Sequence, residues 1–125
     1  MTQEDRKLLL KDLCARLPYG VKVHIQKIDD NKVIDNEDFG YMWLGMVLFD
    51  NPYHEIKPYL RPMSSMTDDE VLEYLGMLND IDKSGLMNQN FITKVVDWLD
   101  KKMFDHRGLL PKGLALEATK EMYHN

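Results

Sequence analysis

The sequence predicts an α+β fold with an N-terminal helix, a small twisted antiparallel sheet of three or four strands, and two helices packed on that sheet. The changing spacing of the apolar residues indicates this architecture. Apolar residues recur at helical spacing before Pro18, alternate from Val21 onward, and return to helical spacing after Thr67. The chain has 125 residues, the usual length of one domain, so we expect residues 1–125 to form a single domain.

The first helix is expected to begin at Thr2, whose hydroxyl can cap it, and to end at residues 18–20. Its apolar stripe consists of Leu9, Leu10, Leu13, Cys14 and Leu17. Because Cys14 is the only cysteine, no intrachain disulfide can form, and we expect its side chain to be a small buried hydrophobe. A catalytic thiolate is the alternative, and it would need a neighbouring base such as His24.

Four segments contain the signals of the sheet. Residues 21–26 alternate between apolar and polar side chains, the pattern of a half-buried strand. Residues 29–32 have turn chemistry, and residues 33–34 can begin a short returning strand. Residues 41–49 are apolar on both alternating faces, which indicates a central strand, a strand that meets another subunit, or a short buried helix. Residues 55–61 supply a further extended segment.

The junction between the sheet and the later helices lies at residues 57–70. Pro58 and Pro62 forbid an ordinary helix there, because proline lacks an amide donor and biases its predecessor toward extended geometry. Thr67 followed by Glu70 predicts a capping box, in which two side chains satisfy two backbone amides at a helix start. The sequence therefore predicts that a strand ends and a helix begins within this segment.

Two helices are predicted after the junction. The first covers about residues 68–79. Its apolar positions are Val71, Leu72, Leu75 and Leu78. The second begins near Asn88 or Asn90, either of which can cap it. Its buried positions are Phe91, Ile92, Val95, Val96, Leu99 and Met103. The tail, residues 109–125, is expected to lie extended over the core.

Charge and hydropathy exclude several classes of protein. The formal net charge of −5 argues against broad electrostatic binding of nucleic acid. The charged N-terminus does not resemble a signal peptide, and no apolar run approaches the length needed to cross a bilayer. We therefore expect a cytoplasmic protein with neither nucleic acid nor a membrane as its partner.

Two acidic stretches could attract a cation. Residues 35–38 are acidic but lack the spacing of a calcium loop. Residues 80–85 match the first half of an EF-hand loop, yet Phe91 stands where calcium needs a bidentate carboxylate. A solvated loop and a helix–helix turn explain them without metal. We expect no metal site, and no cofactor either, because phosphate-binding glycine loops and zinc-ligand spacings are absent from the sequence.

Asp105, His106 and Arg107 form a further candidate catalytic group. Asp105 could orient the His106 imidazole while Arg107 holds an anion, which would suit a hydrolase. The alternative is structural, since His106 and Arg107 follow the predicted last helix and can complement the negative end of its dipole.

A candidate binding face lies on the predicted sheet. Lys57, Tyr59 and Arg61 alternate along one strand and so share a face. If that strand neighbours residues 21–25, Lys22 and His24 join them in a basic, aromatic surface. Such a surface could accept an acidic peptide or single-stranded nucleic acid, although a solvated sheet face is the simpler explanation.

Four segments of the chain together resemble one protein family. They are LLLKDLCARLPYGV at residues 8–21, KPYLRPMSSMT at residues 57–67, FDHRGLL at residues 104–110 and GLALEA at residues 113–118. The chain resembles a family of small uncharacterised proteins of gut Bacteroidales genomes, often located among phage-like or mobile genes. The resemblance implies a bacterial, cytoplasmic accessory protein, and it implies no role for any residue.

The function that these observations favour is non-enzymatic: an accessory protein that acts by binding another protein, with a second copy of itself as one option. A hydrolase-like enzyme built on Asp105, His106 and Arg107 is the first alternative. A single-stranded nucleic-acid binder built on Lys57, Tyr59 and Arg61 is the second.

Overall fold

The computed structural model describes residues 2–26, 29–35, 56–83 and 89–123. Three sequence predictions fall outside them: the apolar segment at residues 41–49, most of the acidic loop at residues 35–38, and the cap at Asn88. Within the described residues, no helix is long and apolar enough to cross a bilayer.

The first helix, α1, covers Gln3–Arg16. Thr2 caps it as predicted, because its hydroxyl oxygen accepts a hydrogen bond from the Asp5 amide at 3.0 Å. A short 3₁₀ turn at Leu17–Tyr19 follows, and Gly20 takes a φ of 75° that suits glycine. The predicted end of this helix is confirmed.

Four strands form one sheet in the described part of the chain: β1 (Val21–Ile25), β2 (Asp30–Ile34), β3 (Ile56–Leu60) and β4 (Leu116–Glu117). Their order in the sheet is β2-β1-β3-β4. β1 pairs antiparallel with both β2 and β3, whereas β4 pairs parallel with β3. β2 begins at Asp30, three residues before the predicted start at residue 33.

Two further helices, α2 (Asp68–Lys83) and α3 (Gln89–Lys101), connect β3 to β4. This two-helix crossover explains why the sheet is mixed and not antiparallel as predicted, since parallel strands need a long connection between them. The α+β class, with its N-terminal helix, sheet and two later helices, is confirmed.

The capping box at the start of α2 is also confirmed. The Thr67 amide donates to the Glu70 carboxylate at 3.0 Å, and the Glu70 amide donates to the Thr67 hydroxyl at 3.2 Å. The first backbone amides of a helix have no acceptor within the helix. These two hydrogen bonds satisfy two such amides. The strand-to-helix junction follows the sequence prediction closely.

The main core lies between α1, the sheet and the tail. Its buried side chains include Leu9, Leu13, Leu17, Val21, Val23, Ile25, Ile34, Ile56, Leu60, Met103, Leu109 and Leu114. A second cluster lies between α2 and α3. Its members are Val95, Leu99 and Phe104, with Met63, Met66, Tyr74, Met77 and Trp98 packed against them.

The buried face of α1 differs from the predicted stripe. Cys14 is exposed, so the expectation that it is a buried hydrophobe is wrong. Asp12 and Arg16 are instead fully buried beside the apolar residues of the helix. The buried face of α1 is therefore shifted from the predicted stripe toward Asp12 and Arg16. Their burial is possible because their charges are paired within the protein.

Residues 109–123 lie over the core, as predicted, but β4 is the only strand among them. Tyr123 anchors the end of this tail between two strands: the Tyr123 hydroxyl donates to the Tyr59 carbonyl at 2.7 Å and accepts from the Lys22 amide at 2.9 Å. A tyrosine hydroxyl therefore bridges β1 to β3 just beyond the Val23–Pro58 pair.

Candidate functional site

Asp105 does not orient His106, contrary to the catalytic hypothesis. The two Asp105 carboxylate oxygens accept hydrogen bonds from the Leu109 and Leu110 amides, each at 2.9 Å. This carboxylate therefore closes the turn after α3. The residue that contacts the imidazole is Asp100, whose Oδ1 lies 2.7 Å from His106 Nε2.

Asp100 also receives Arg107. The Arg107 guanidinium donates to both Asp100 carboxylate oxygens, at 2.8 and 3.1 Å, and to Asp12 at 2.8 Å. Burial by itself raises the pKa of Asp100, but the hydrogen bonds from His106 and Arg107 and the positive charges nearby lower it to about 2. Asp100 is therefore ionised over the whole physiological range.

Arg16 completes the group from the first helix. Its guanidinium donates to both oxygens of Asp12, at 2.8 and 2.9 Å, and to the Phe104 carbonyl at 2.7 Å. We call the set Asp12, Arg16, Asp100, His106 and Arg107 the buried charge network. It joins α1 to α3 and to the start of the tail.

The contacts of the buried charge network are those of ion pairs that hold elements of the fold together. Two carboxylates face two guanidinium groups, so the charges of the aspartates and arginines balance, and each aspartate is contacted by both arginines. The network side chains in the described structure bond one another and main-chain carbonyls. A general base needs an accessible lone pair beside a substrate site, and these contacts occupy the carboxylates instead.

The candidate binding face separates into two parts. The register of β1 and β3 places His24 directly beside Lys57, which confirms that these strands are neighbours. The Tyr59 hydroxyl donates to the Asn31 amide oxygen at 2.9 Å, and His24 Nδ1 lies 3.0 Å from the same oxygen. Lys22 donates to the Met122 carbonyl. Most of these polar groups are therefore used within the sheet and the tail.

Arg61 lies apart from this face and belongs to the capping box. It donates to Glu70 at 2.6 and 2.9 Å, and its guanidinium lies 4.2 Å from the centroid of the Phe104 ring. The hydrogen bonds from Arg61 are the main reason that the pKa of Glu70 falls to about 2. Arg61 therefore holds the start of α2 in place. Its positive charge does not contribute to the candidate binding face at Lys57 and Tyr59.

The least expected feature is an apolar stripe on the outer face of α2. It consists of Val71, Leu72, Leu75 and Leu78, which are 38%, 69%, 52% and 38% exposed. We call these four residues the α2 stripe. The inward face of the same helix carries Tyr74 and Met77, which pack on the second cluster. The ring of Tyr74 stacks on that of Trp98 with 6.0 Å between centroids.

Sequence reasoning missed Asp12, Arg16 and Asp100. A signal for the first two was present, because residues 9, 12, 13 and 16 recur at helical spacing and share one face. Their opposite charges four residues apart are, however, just as typical of an exposed pair. Asp100 carried no comparable signal, since its partners come from distant parts of the chain.

No group of three or more acidic, histidine or cysteine side chains that could hold a metal ion occurs among the described residues. The EF-hand-like segment at residues 80–85 lies outside the described side chains.

No protein-family model, curated protein or solved structure matches this chain.

Proposed function

We propose that this protein is a cytoplasmic accessory protein that acts by binding another protein, and that the α2 stripe is the surface it uses. The proposal includes the resemblance to small proteins of gut Bacteroidales genomes, which implies that the protein is bacterial. The observation that carries the proposal is the exposure of four large apolar side chains on one helix face.

The spacing of the stripe supports a specific contact. Val71, Leu75 and Leu78 follow one another at intervals of four and three residues, so they form a single ridge along the helix, with Leu72 beside it. Scattered exposed leucines are common on soluble proteins, but a contiguous apolar row is typical of an interaction site.

Folding depends little on the two most exposed members of this row, Leu72 and Leu75. The inward face of α2 already buries Tyr74 and Met77 against the second cluster, and Glu70 is buried with its charge paired to Arg61. The outward leucines thus add little to the stability of the isolated chain. They favour self-association or insolubility unless a partner covers them, so a binding role accounts for their presence better than a structural one.

The enzyme alternative has less support than the sequence suggested. Asp105 accepts from the Leu109 amide, away from His106 and Arg107, and the carboxylate beside His106 is held by Arg107. The nucleic-acid alternative loses Arg61 to Glu70, and the hydroxyl of Tyr59 is bonded within the sheet.

Site-specific photo-crosslinking tests the proposal. A photo-reactive phenylalanine is placed at Leu72, and in a matched control at Val33, which is 57% exposed on β2. Both proteins are produced in a gut Bacteroidales cell and irradiated. We expect a discrete heavier adduct from the probe at Leu72 and none from the probe at Val33. The same adducts from both positions, or none from Leu72, would contradict the proposal.

A further inference from the structure

We infer that the occupant of the α2 stripe is a basic amphipathic helix of a partner protein. The inference rests on the proposed function and adds the chemistry of the partner to it. It is drawn from the shape of the stripe and from the charges that surround it.

The shape of the stripe suits a helix. Val71 to Leu78 spans two turns, a ridge of about 10 Å at 1.5 Å per residue. A convex ridge of this kind packs most closely against another helix, whose side chains enter the spaces between its own. The partner therefore needs apolar residues at three- and four-residue spacing over at least two turns.

The exposed charged side chains that the structure describes on α2 are of one sign. The sequence contains no lysine or arginine between Arg61 and Lys83. Asp68 and Asp69 are exposed in the first turn of α2, three residues before Val71 and Leu72, and therefore lie beside the stripe. Glu70 points inward, where Arg61 neutralises it, so it does not add to this outer charge. A partner whose polar flanks carry lysine or arginine would meet carboxylates alongside the apolar contact.

The same charges disfavour a second copy of the chain as the occupant. In a parallel symmetric pair, the acidic first turn of one α2 would face the acidic first turn of the other. Like charges at such a rim oppose association. A basic helix meets the apolar and the electrostatic requirement together, and a parallel homodimer meets only the first.

Fluorescence anisotropy with three labelled peptides tests the inference. The first is an 18-residue amphipathic helix of leucine and lysine. The second has glutamate in place of every lysine, and the third is the leucine–lysine peptide with its order scrambled so that no apolar face forms. We expect the first peptide to bind the full-length protein at least tenfold more tightly than the other two, and to bind more weakly as salt is raised.

Variants then assign the binding to the stripe. Leu72→Gln with Leu75→Gln should weaken binding of the leucine–lysine peptide at least tenfold, because both side chains are exposed and supply the apolar contact. Asp68→Asn with Asp69→Asn should weaken it about threefold, as expected for rim charges. Val33→Thr is the control for an exposed apolar residue elsewhere, and it should leave the affinity unchanged.

Each other outcome overturns the inference. Equal binding of the ordered and scrambled basic peptides would mean attraction by charge alone. Tighter binding of the glutamate peptide would assign the opposite partner chemistry, and a dimer in light scattering that Leu72→Gln dissociates would make a second copy the occupant. In the last two cases the inference fails while the stripe remains an interaction surface. No binding of any peptide also overturns the inference, and crosslinking from Leu72 then decides the proposed function separately.

Discussion

The guanidinium of Arg61 donates to both carboxylate oxygens of Glu70, at 2.9 and 2.6 Å, and the amide of Thr67 donates to the same carboxylate at 3.0 Å. One acidic side chain thus completes the capping box of α2 and binds the residue that follows β3. These bonds fix the orientation of α2 at its start. They therefore also determine which of its side chains point away from the protein.

Glu70→Gln should lower the free energy of unfolding by about 1–3 kcal/mol at pH 7, because it removes the charge that accepts the hydrogen bonds of Arg61 and holds the pKa of Glu70 at about 2. The folded-state pKa is depressed, so this stability is present above pH 4.5 and is lost as the pH falls toward 2. Urea unfolding of both proteins between pH 7 and 2 measures the difference, which should shrink in that window.

The control for this change is Glu73→Gln, an exposed acid on the same helix. It should alter the free energy of unfolding by less than about 0.5 kcal/mol at every pH. An equal effect of the two substitutions would contradict the role given to the Arg61–Glu70 pair.

Asp100→Asn should destabilise the protein by about 3 kcal/mol, because it removes a buried negative charge that faces Arg107 and Arg16. Thermal and urea unfolding measure this effect. The matched control is Asp30→Asn on β2, whose carboxylate is exposed and lies 3.5 Å from the Lys32 ammonium. That substitution should change the stability by less than about 1 kcal/mol.

A stable Asp100→Asn variant would count against a structural role for the buried charge network. Catalytic groups are often held at the expense of stability, so their removal tends to be neutral or stabilising. If Asp100→Asn lowered the free energy of unfolding by less than about 1 kcal/mol, the result would favour an enzyme site that includes His106 and Arg107.

Tyr123→Phe should cost about 1–2 kcal/mol, since it leaves the Tyr59 carbonyl and the Lys22 amide without the hydroxyl that bridges them. Burial raises the pKa of Tyr123, in keeping with a neutral hydroxyl in this position. Tyr19→Phe is the control, because the Tyr19 hydroxyl bonds Asp97 at an exposed site. Denaturant unfolding that ranks Tyr19→Phe as the more damaging change would refute the anchoring role of Tyr123.

Single-stranded oligonucleotides should not bind through the sheet face. The net charge is −5, Arg61 is paired with Glu70, and the Lys22 ammonium is bonded to the tail. A fluorescent 20-nucleotide strand should show no saturable binding below about 100 µM protein at physiological salt, the weak end of non-specific affinities. Tighter binding that Lys57→Gln abolishes would restore the nucleic-acid hypothesis.

Local chemistry explains which parts of the fold could be predicted from the sequence. The capping box at Thr67 and Glu70, the cap at Thr2 and the alternation along β1 all depend on residues close to one another in the chain. The position of β4 could not be predicted in the same way, because it depends on how the crossover through α2 and α3 returns the tail to β3.

The candidate site was harder to predict because it depends on which helix faces are buried. Apolar spacing alone put Cys14 in the core and gave no reason to bury Asp12, whose burial depends on Arg16 and on the distant Arg107. In α2 the apolar residues mark the outer face, while Glu70 is drawn inward by Arg61. A periodic pattern identifies a helix, but its buried side is decided by partners elsewhere in the chain.

The most direct test of the account measures crosslinking from a third position on the α2 stripe. A photo-reactive phenylalanine replaces Leu78, either in the natural sequence or together with Leu72→Gln and Leu75→Gln. We predict a discrete adduct from the first protein and at least a fivefold lower yield from the second, with equal melting temperatures for the two. An unchanged yield in the doubly substituted protein would contradict the claim that the stripe is the interaction surface.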